Sequence, residues 1–380
     1  MKISGAWIGH PGTQALCAAL AGAGHQALFV GGCVRNALLQ MPVADIDIAT
    51  DALPEIVTNL AKSAGFRVIP TGIDHGTVTV LAKGVAHEVT TFRRDLATDG
   101  RHATVAYTAS VAQDAARRDF TMNALYADAL GNVIDPLGEL PDLQARHLRF
   151  VGDADARIRE DYLRILRFFR FHAIYGDPNG GVDAEGLAAC AAHLDGIAKL
   201  SRERIGAEMR KLLAARDPAP AMAAMAQSGV LATVLPGADA STLAVLVHLE
   251  SDLPPRWLRR LGLIGGQDVT ENLRLSRSET GSHRQIRDEI GTTKTAAALA
   301  WALGRDLATD IVLCRAALFE QPPPPNWQTE VERGVLAKIP VTAADLMPAL
   351  QGPDLGIRLR IITARWLASD LTLTKAQLLA

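Results

Sequence analysis

The spacing of apolar and polar positions changes once along the chain. Up to about residue 130, short apolar runs alternate with helical segments; beyond it the chain is rich in Ala, Leu and Arg at helical spacing, with almost no β-branched alternation. In the first part, Ala27 to Val30 predicts a strand ending in Gly31-Gly32, followed by a helix over Val34 to Leu39 and a second strand through Ile46-Asp47-Ile48. A helix starting at Pro54 is expected to bury Ile56, Val57, Leu60, Ala61 and Ala64 and to stop at Gly65. Thr77 to Val80 alternates with the strand period, and His87 to Thr91 predicts a further strand. Asp99-Gly100-Arg101-His102 has turn chemistry and reads as an exposed, mobile loop. The first part ends near Pro136 to Pro141. The run Pro322 to Pro325 reads as a stiff linker that sets Val331 to Ala380 apart.

Composition narrows the class without naming a chemistry. The chain has 380 residues, against ~150 for a usual domain, which implies several modules. With 48% hydrophobic and 21% charged residues it can bury real cores. Its longest nearly apolar stretch, Ala296 to Leu303, is far short of the ~20 residues that span a bilayer. The N-terminus lacks the basic and apolar regions of a signal peptide, so a cytoplasmic protein with no membrane association is expected. A net charge of -2, from 39 Lys and Arg against 41 Asp and Glu, gives by itself no sign of a polyanionic partner. Cys17, Cys33, Cys190 and Cys314 form no C-x-x-C pair, and the ten histidines form no H-E-x-x-H, which removes the usual zinc sites.

Three groups of residues carry candidate chemistry. Asp45 and Asp47, one residue apart in a predicted strand, should project to the same side, where they repel unless a cation lies between them. Val43, Ile46 and Ile48 restrict hydration there. The pair is either a solvated strand end or a divalent metal site, and all-oxygen donors favour Mg2+. Gly31 and Gly32 at a strand end, with Arg35 in the following helix, either form a plain turn with a surface arginine or let backbone N–H groups and a guanidinium meet a phosphate. The segment is neither G-x-x-x-x-G-K-[ST] nor G-x-G-x-x-G. Glu88, in the strand His87 to Thr91, is either a salt-bridge partner at a strand edge or a third carboxylate near the first two.

Gly31-Gly32-x-x-Arg35 followed by Asp45-x-Asp47 resembles the head of the DNA polymerase β nucleotidyltransferase superfamily. Arg117-Arg118-Asp119-Phe120-Thr121-Met122-Asn123-Ala124-Leu125 is similar to the R-R-D-F-T-x-N-A-L motif, Arg157 to Phe171 to the neck helix, and Glu203-Arg204-Ile205 with Glu208 to the E-R-I-x-x-E segment of class II CCA-adding tRNA nucleotidyltransferases and bacterial poly(A) polymerases. The resemblance is strong from Phe29 to Leu213 and general beyond it. It implies an α+β fold in which a polymerase β-like mixed-sheet head over 1–140 is followed by an all-α neck (141–213), body (214–321) and tRNA-binding tail (322–380). The residues at 343–346 and 352–356 resemble a worn tail segment. Asn36 stands where the family usually has Asp.

The neck segment bears its own argument. As one continuous helix it would gather Ile158, Tyr162, Ile165, Leu166 and Phe169 into an apolar arc, and Arg157, Asp161, Arg164 and Arg167 into a separate polar arc free to bind. Cytosine and adenine both present an amino group beside a bare ring nitrogen, so a carboxylate paired with a guanidinium selects C and A over G and U. Asp161 and Arg164 would be such a pair, and the family's E-D-x-x-R segment falls on them. Family nucleotide contacts carry over to Gly31, Gly32, Arg35, Arg118, Arg167 and Arg170, and catalytic carboxylates to Asp45 and Asp47, with Glu88 the candidate third. The resemblance thus implies template-independent addition of C, C and A to tRNA from CTP and ATP, with Mg2+ held by Asp45 and Asp47 in a two-metal in-line transfer and no obligatory protein partner. The rivals are a bacterial poly(A) polymerase and an enzyme adding only C's or only the final A. Against the former, the chain lacks a basic tail and keeps the Asp161 and Arg164 pair.

Overall fold

The strand period is realised in Thr77–Ala82, where Val78, Val80 and Ala82 are fully buried and the residues between them are half-buried. A computed structural model describes residues 1–72, 76–99, 102–347 and 349–380 and divides the chain into two compact units, Met1–Leu200 with Ser228–Val230, and Ser201–Gln227 with Leu231–Ala380.

The first unit is built on a seven-stranded sheet. Its strands are β1 (Leu28–Val30), β2 (Ile46–Thr50), β3 (Arg67–Gly72), β4 (Thr77–Ala82), β5 (Val85–Thr91), β8 (Tyr126–Ala127) and β9 (Val133–Ile134), in the order β3-β4-β5-β2-β1-β8-β9. β2 and β5 are parallel and the other neighbours antiparallel, which makes the sheet mixed, as expected. β6 (Arg93–Asp99) and β7 (His102–Tyr107) form a separate hairpin in which Asp99 faces His102. Of the residues expected in a loop here, Asp99 and His102 belong to the strands, and Gly100 and Arg101 lie outside the described residues.

The helices of this unit are α1 (Pro11–Gly22), α2 (Gly32–Leu38), α3 (Pro54–Ser63), α4 (Val111–Ala116), α5 (Leu140–Gln144), α6 (Ala154–Glu160), α7 (Leu163–Tyr175) and α8 (Ala184–Ala192). α1 and α3 lie on the sheet against β4 and β5. The buried stripe of α3 is Pro54, Val57 and Ala61, at i, i+3 and i+7, which leaves Leu60 half-buried and Ile56 and Ala64 exposed, contrary to expectation.

The second unit is helical throughout its described residues: α9 (Arg202–Leu213), α10 (Ala219–Gln227), α11 (Val230–Val234), α12 (Leu243–Glu250), α13 (Trp257–Ile264), α14 (Val269–Asn272), α15 (Arg277–Ile290), α16 (Ala296–Leu303), α17 (Arg305–Leu318), α18 (Trp327–Leu336), α19 (Gly352–Ala368) and α20 (Lys375–Leu379). The proline run does not set the following residues apart. Helix α18 starts at Trp327, buries Trp327 and Val331, and lies so close to α16 that a Cβ on Gly334 would sit 2.1 Å from the Ala297 carbonyl oxygen. A small core of Val341, Ile362, Trp366 and Leu378 closes the C-terminal end, with Trp301 edge-on to Trp366 at 5.3 Å. No helix among the described residues is long and apolar enough to cross a membrane.

Candidate active site

The parallel pairing of β2 with β5 sets Asp47 directly beside Glu88, so the two carboxylates leave the same face of the sheet. Asp45 precedes β2, which begins at Ile46, and so does not share its strand with Asp47 as expected. It still acts on its neighbour. Burial, the Glu88 charge and, more weakly, the Asp45 charge push the Asp47 carboxyl from its ordinary 3.8 up to about 6, while Arg118 and Arg35 act in the opposite sense. The donors are all carboxylate oxygens, the chemistry that suits Mg2+, and their mutual repulsion is the strain that a divalent cation relieves. Among the described residues, however, no group of three or more His, Cys, Asp or Glu side chains is preassembled around an ion position.

This electrostatic strain has a measurable sign. Because the folded-state value lies above the unfolded one, the ionised Asp47 carboxylate costs stability that is absent below about pH 4 and complete above about pH 6. In metal-free protein, Asp47→Asn is expected to melt higher than wild type at pH 7.5 and at the same temperature at pH 4. Saturating Mg2+ should close the gap at pH 7.5 from the wild-type side. Equal melting of the two proteins at both pH values in EDTA would overturn this account of the carboxylates.

Facing the carboxylates is the turn between β1 and α2. Gly31 adopts φ 68° and ψ -120°, a conformation that only glycine takes readily, and a Cβ there would lie 3.4 Å from Arg118 Nη1. Cys33, buried behind the turn, donates through Sγ to the Val30 carbonyl at 3.3 Å and the Asp47 carbonyl at 3.7 Å, tying the glycine turn to the carboxylate strand. Burial pushes its thiol up to about 11, which makes it a packing group and not a nucleophile. Arg35 is buried, not on the surface, and Asn36 binds it: Asn36 Oδ1 accepts from Arg35 Nε at 3.1 Å and Nη2 at 2.9 Å. Asn36 Nδ2 donates to the Pro42 carbonyl at 2.8 Å, a bond that the family's aspartate cannot make.

The R-R-D segment is locked by carboxylates that sequence reasoning did not single out. Asp114 in α4 is buried, accepts from Arg117 at 2.7 and 2.9 Å, from Arg118 Nη2 at 3.0 Å and from the Tyr126 hydroxyl at 2.6 Å. Burial would raise this carboxyl, but the two guanidiniums outweigh it and hold it at about 2. Asp119 accepts from its own turn at the Phe120 N–H, from Asn123 Nδ2 at 2.8 Å and from Arg167 Nε at 2.9 Å. Against the effect of burial, Arg167 likewise holds it at about 2. The available signals were the capping Ser110 with Arg117 and Arg118 three and four residues after Asp114, and the R-R-D run for Asp119; the Arg167 partner of Asp119 lies too far along the chain for spacing to reveal.

The neck departs most from expectation. It is not one helix: α6 ends at Glu160, Asp161 is extended at φ -154° and ψ 106°, and α7 starts at Leu163. Asp161 lies at the break: its Oδ1 accepts from the Leu163 N–H at 3.0 Å and its carbonyl from the Arg164 N–H at 2.9 Å, a local turn one residue before the Tyr162 N-cap of α7. Asp161 and Arg164 are therefore not one turn apart on a shared helix. The Arg164 guanidinium is paired with Glu160 and donates to the carbonyls of Arg157 at 2.8 Å and Arg117 at 3.3 Å. Arg157 pairs with Glu160 at 2.7 Å and reaches the Ala116 carbonyl at 3.2 Å. The polar arc expected to lie open thus docks on the head through Arg157, Arg164 and Arg167. Arg170 is buried with its guanidinium carbon 4.5 Å from the centre of the Phe171 ring.

Residues 27–149 match the family model described as the poly A polymerase head domain, and residues 182–242 the one described as a probable RNA and SrmB-binding site of polymerase A. The chain is 35% identical to the CCA-adding enzyme of Geobacillus stearothermophilus over 355 residues, covering 87% of this chain and 83% of that one. It is 43% identical over 220 residues to the CCA-adding enzyme of Geobacillus thermodenitrificans, an alignment that covers 56% of this chain and about half, 52%, of the relative. Among solved structures, the Bacillus stearothermophilus CCA-adding enzyme in complex with CTP superimposes with a TM-score of 0.74 at 30% identity, over 94% of this chain and 93% of that one.

Proposed function

The chain belongs to the CCA-adding tRNA nucleotidyltransferase family, and from that premise we propose that it adds C, C and A in turn to the 3′ end of tRNA, using CTP and ATP and releasing pyrophosphate. The observation that carries the reading is the extent of the likeness: it runs through both units to 87% of the chain, whereas a shared head alone would be equally compatible with polyadenylation. A cytoplasmic setting follows from the same reading.

Asp45, Asp47 and Glu88 are the carboxylates we assign to Mg2+, with Asp45 and Asp47 as its ligands. When bound, the ion would supply activation of the tRNA 3′-hydroxyl and charge neutralisation at the α-phosphate. The protein's own part is placement. Gly31 and Gly32 keep the turn free of side chains beside the carboxylate strand, Arg35 and Arg118 bring positive charge to it, and Arg167 and Arg170 extend that charge along α7. Base choice falls to Asp161 and Arg164, through acceptance from the amino group and donation to the ring nitrogen of C or A. In the arrangement described above, each is engaged locally. Selection therefore requires Arg164 to exchange part of its bonding with Glu160 for the base. The helical second unit would hold the tRNA by backbone and shape.

The test is incubation with tRNA lacking its 3′ end, each labelled nucleotide being supplied alone and then in combination. Incorporation of C, C and A followed by a stop is expected; an open-ended A ladder would move the reading to poly(A) polymerase, and a halt after two C's or a single A to a partial enzyme. Asp161→Ala is expected to admit UTP or GTP at rates within about tenfold of CTP, the loss of one charged hydrogen bond's discrimination. Unchanged base selectivity in this variant would refute the assignment.

A further inference from the structure

We propose that Tyr175, at the C-terminal end of α7, is a positioning residue that aims the Arg35 guanidinium at the triphosphate of the incoming nucleotide. This rests on the reading of Arg35 as a triphosphate ligand; what is added is the device that holds it.

Arg35 is only 6% exposed, yet the hydrogen-bond partners of its guanidinium among the described residues are all neutral. They are Asn36 Oδ1, Asn123 Oδ1 at 2.5 Å from Nη1, and the Tyr175 hydroxyl at 2.7 Å from Nη2. The Arg35 guanidinium carbon also lies 3.9 Å from the centre of the Tyr175 ring. One side chain thus offers the guanidinium a ring within cation–π distance and a hydroxyl that accepts from Nη2, two contacts that together restrict its orientation. A filler of the same volume would do neither.

The charge balance indicates what the mounted guanidinium awaits. The guanidinium carbons of Arg35, Arg167 and Arg170 lie 5.2, 5.0 and 4.5 Å from the centre of the Phe171 ring. Asp119 pairs with Arg167, and Asn123 bridges Asp119 to Arg35. Burial lowers the Arg35 pKa; Tyr175 and the Asp119 charge oppose it, and the Arg170 and Arg167 charges add to it. Three cations around one ring, with neutral acceptors on the innermost, are stabilised by an anion, and a polyphosphate supplies it. Arg164, Arg167, Phe171 and Tyr175 follow one another at helical spacing along α7, a stretch of roughly 16 Å at 1.5 Å per residue, so one helix face carries the base-selecting arginine at one end and the phosphate mount at the other.

The experiment compares Tyr175→Phe, which keeps the ring and removes the acceptor, with the wild-type protein. KM for CTP and for ATP is expected to rise together by roughly tenfold, the size of one hydrogen bond to a charged group, with kcat within about twofold and base selectivity unchanged. Inorganic tripolyphosphate, which has no base, should raise the wild-type melting temperature and raise that of Tyr175→Phe much less. Combining Tyr175→Phe with Arg35→Lys separates aiming from packing: if Tyr175 acts through Arg35 the two KM effects do not add, and if it only fills space they do. Wild-type KM values and tripolyphosphate response in Tyr175→Phe, or additive effects in the double variant, would overturn the proposal. If wild-type protein binds tripolyphosphate but extends no tRNA, the functional reading fails while this one stands.

Discussion

Asp47→Ala is expected to lower incorporation of both CMP and AMP by at least about a thousandfold, equivalent to roughly 4 kcal/mol at the transition state, while the variant melts no lower than wild type. The two halves of this expectation come from one fact. Asp47 is the carboxylate set in the sheet, in register with Glu88 and close enough to feel Asp45, and its carboxyl is pushed up to about 6. That position costs the metal-free fold free energy, and groups kept at such a cost serve chemistry more often than stability. A residue whose work was structural would show the reverse, a fall in melting temperature with activity retained in the folded fraction. The assay is single-turnover extension of tRNA lacking its 3′ end, with melting followed in EDTA. Asp45 lies outside the strand, so Asp45→Ala should lose activity with a smaller change in melting than Asp47→Ala.

How much of this site could be read from the chain depends on the range of the interaction. The turn at Gly31 and the strand bearing Asp47 are local: the patterns Ala27 to Val30 and Ile46-Asp47-Ile48 predict strands that are found at Leu28–Val30 and Ile46–Thr50. The pairing of β2 with β5 is not local. Only the folded sheet turns Asp47 and Glu88, which lie far apart in sequence, into neighbours. The break in the neck failed for another reason. Of the predicted arc, Ile158, Ile165, Leu166 and Phe169 are buried on either side of a helix end, and Tyr162 at the break is half-buried. Periodicity reports which face is buried and is blind to whether the backbone is continuous. The signal for the break was Asp161 itself, an aspartate, whose side chain favours turns and helix ends, read instead as a base-selecting group within a helix.

The polar arc shows a second limit. Helical spacing placed Arg157, Asp161, Arg164 and Arg167 on one polar arc and predicted that it lies open to bind. The structure spends the three arginines on the Ala116 and Arg117 carbonyls and the Asp119 carboxylate of the head. Backbone carbonyls at the end of α4 need donors, and no apolar or charge pattern in the sequence advertises that need. What remained legible was the residue set; what each member touches was not.

Glu250→Ala should destabilise the helical unit by about 3–5 kcal/mol and lower its melting temperature by roughly 10 °C. Arg259 and Arg260 are 2% and 1% exposed, in adjacent positions of α13. Glu250 accepts from Arg259 Nη1 at 2.9 Å and from Arg260 Nη2 at 2.7 Å, so one carboxylate is shared by both guanidiniums. Asp310 in α17 receives Arg259 Nε at 2.8 Å, and Arg260 also donates to the carbonyls of Leu213, the last residue of α9, at 2.6 Å and of Arg216 beyond it at 3.1 Å. Removing Glu250 leaves Arg259 with one carboxylate and Arg260 with neutral carbonyls alone, and a buried guanidinium cannot escape by losing its proton. The exposed pair Arg305–Glu332, at 58% and 50% side-chain exposure, is the control: Glu332→Ala should cost below about 0.5 kcal/mol. Both measurements are thermal melts followed by helical circular dichroism. If Glu250→Ala melts within 2 °C of Glu332→Ala, where roughly 10 °C is expected, the network is solvated in solution. The close packing of α9, α12, α13 and α17 would then need another source.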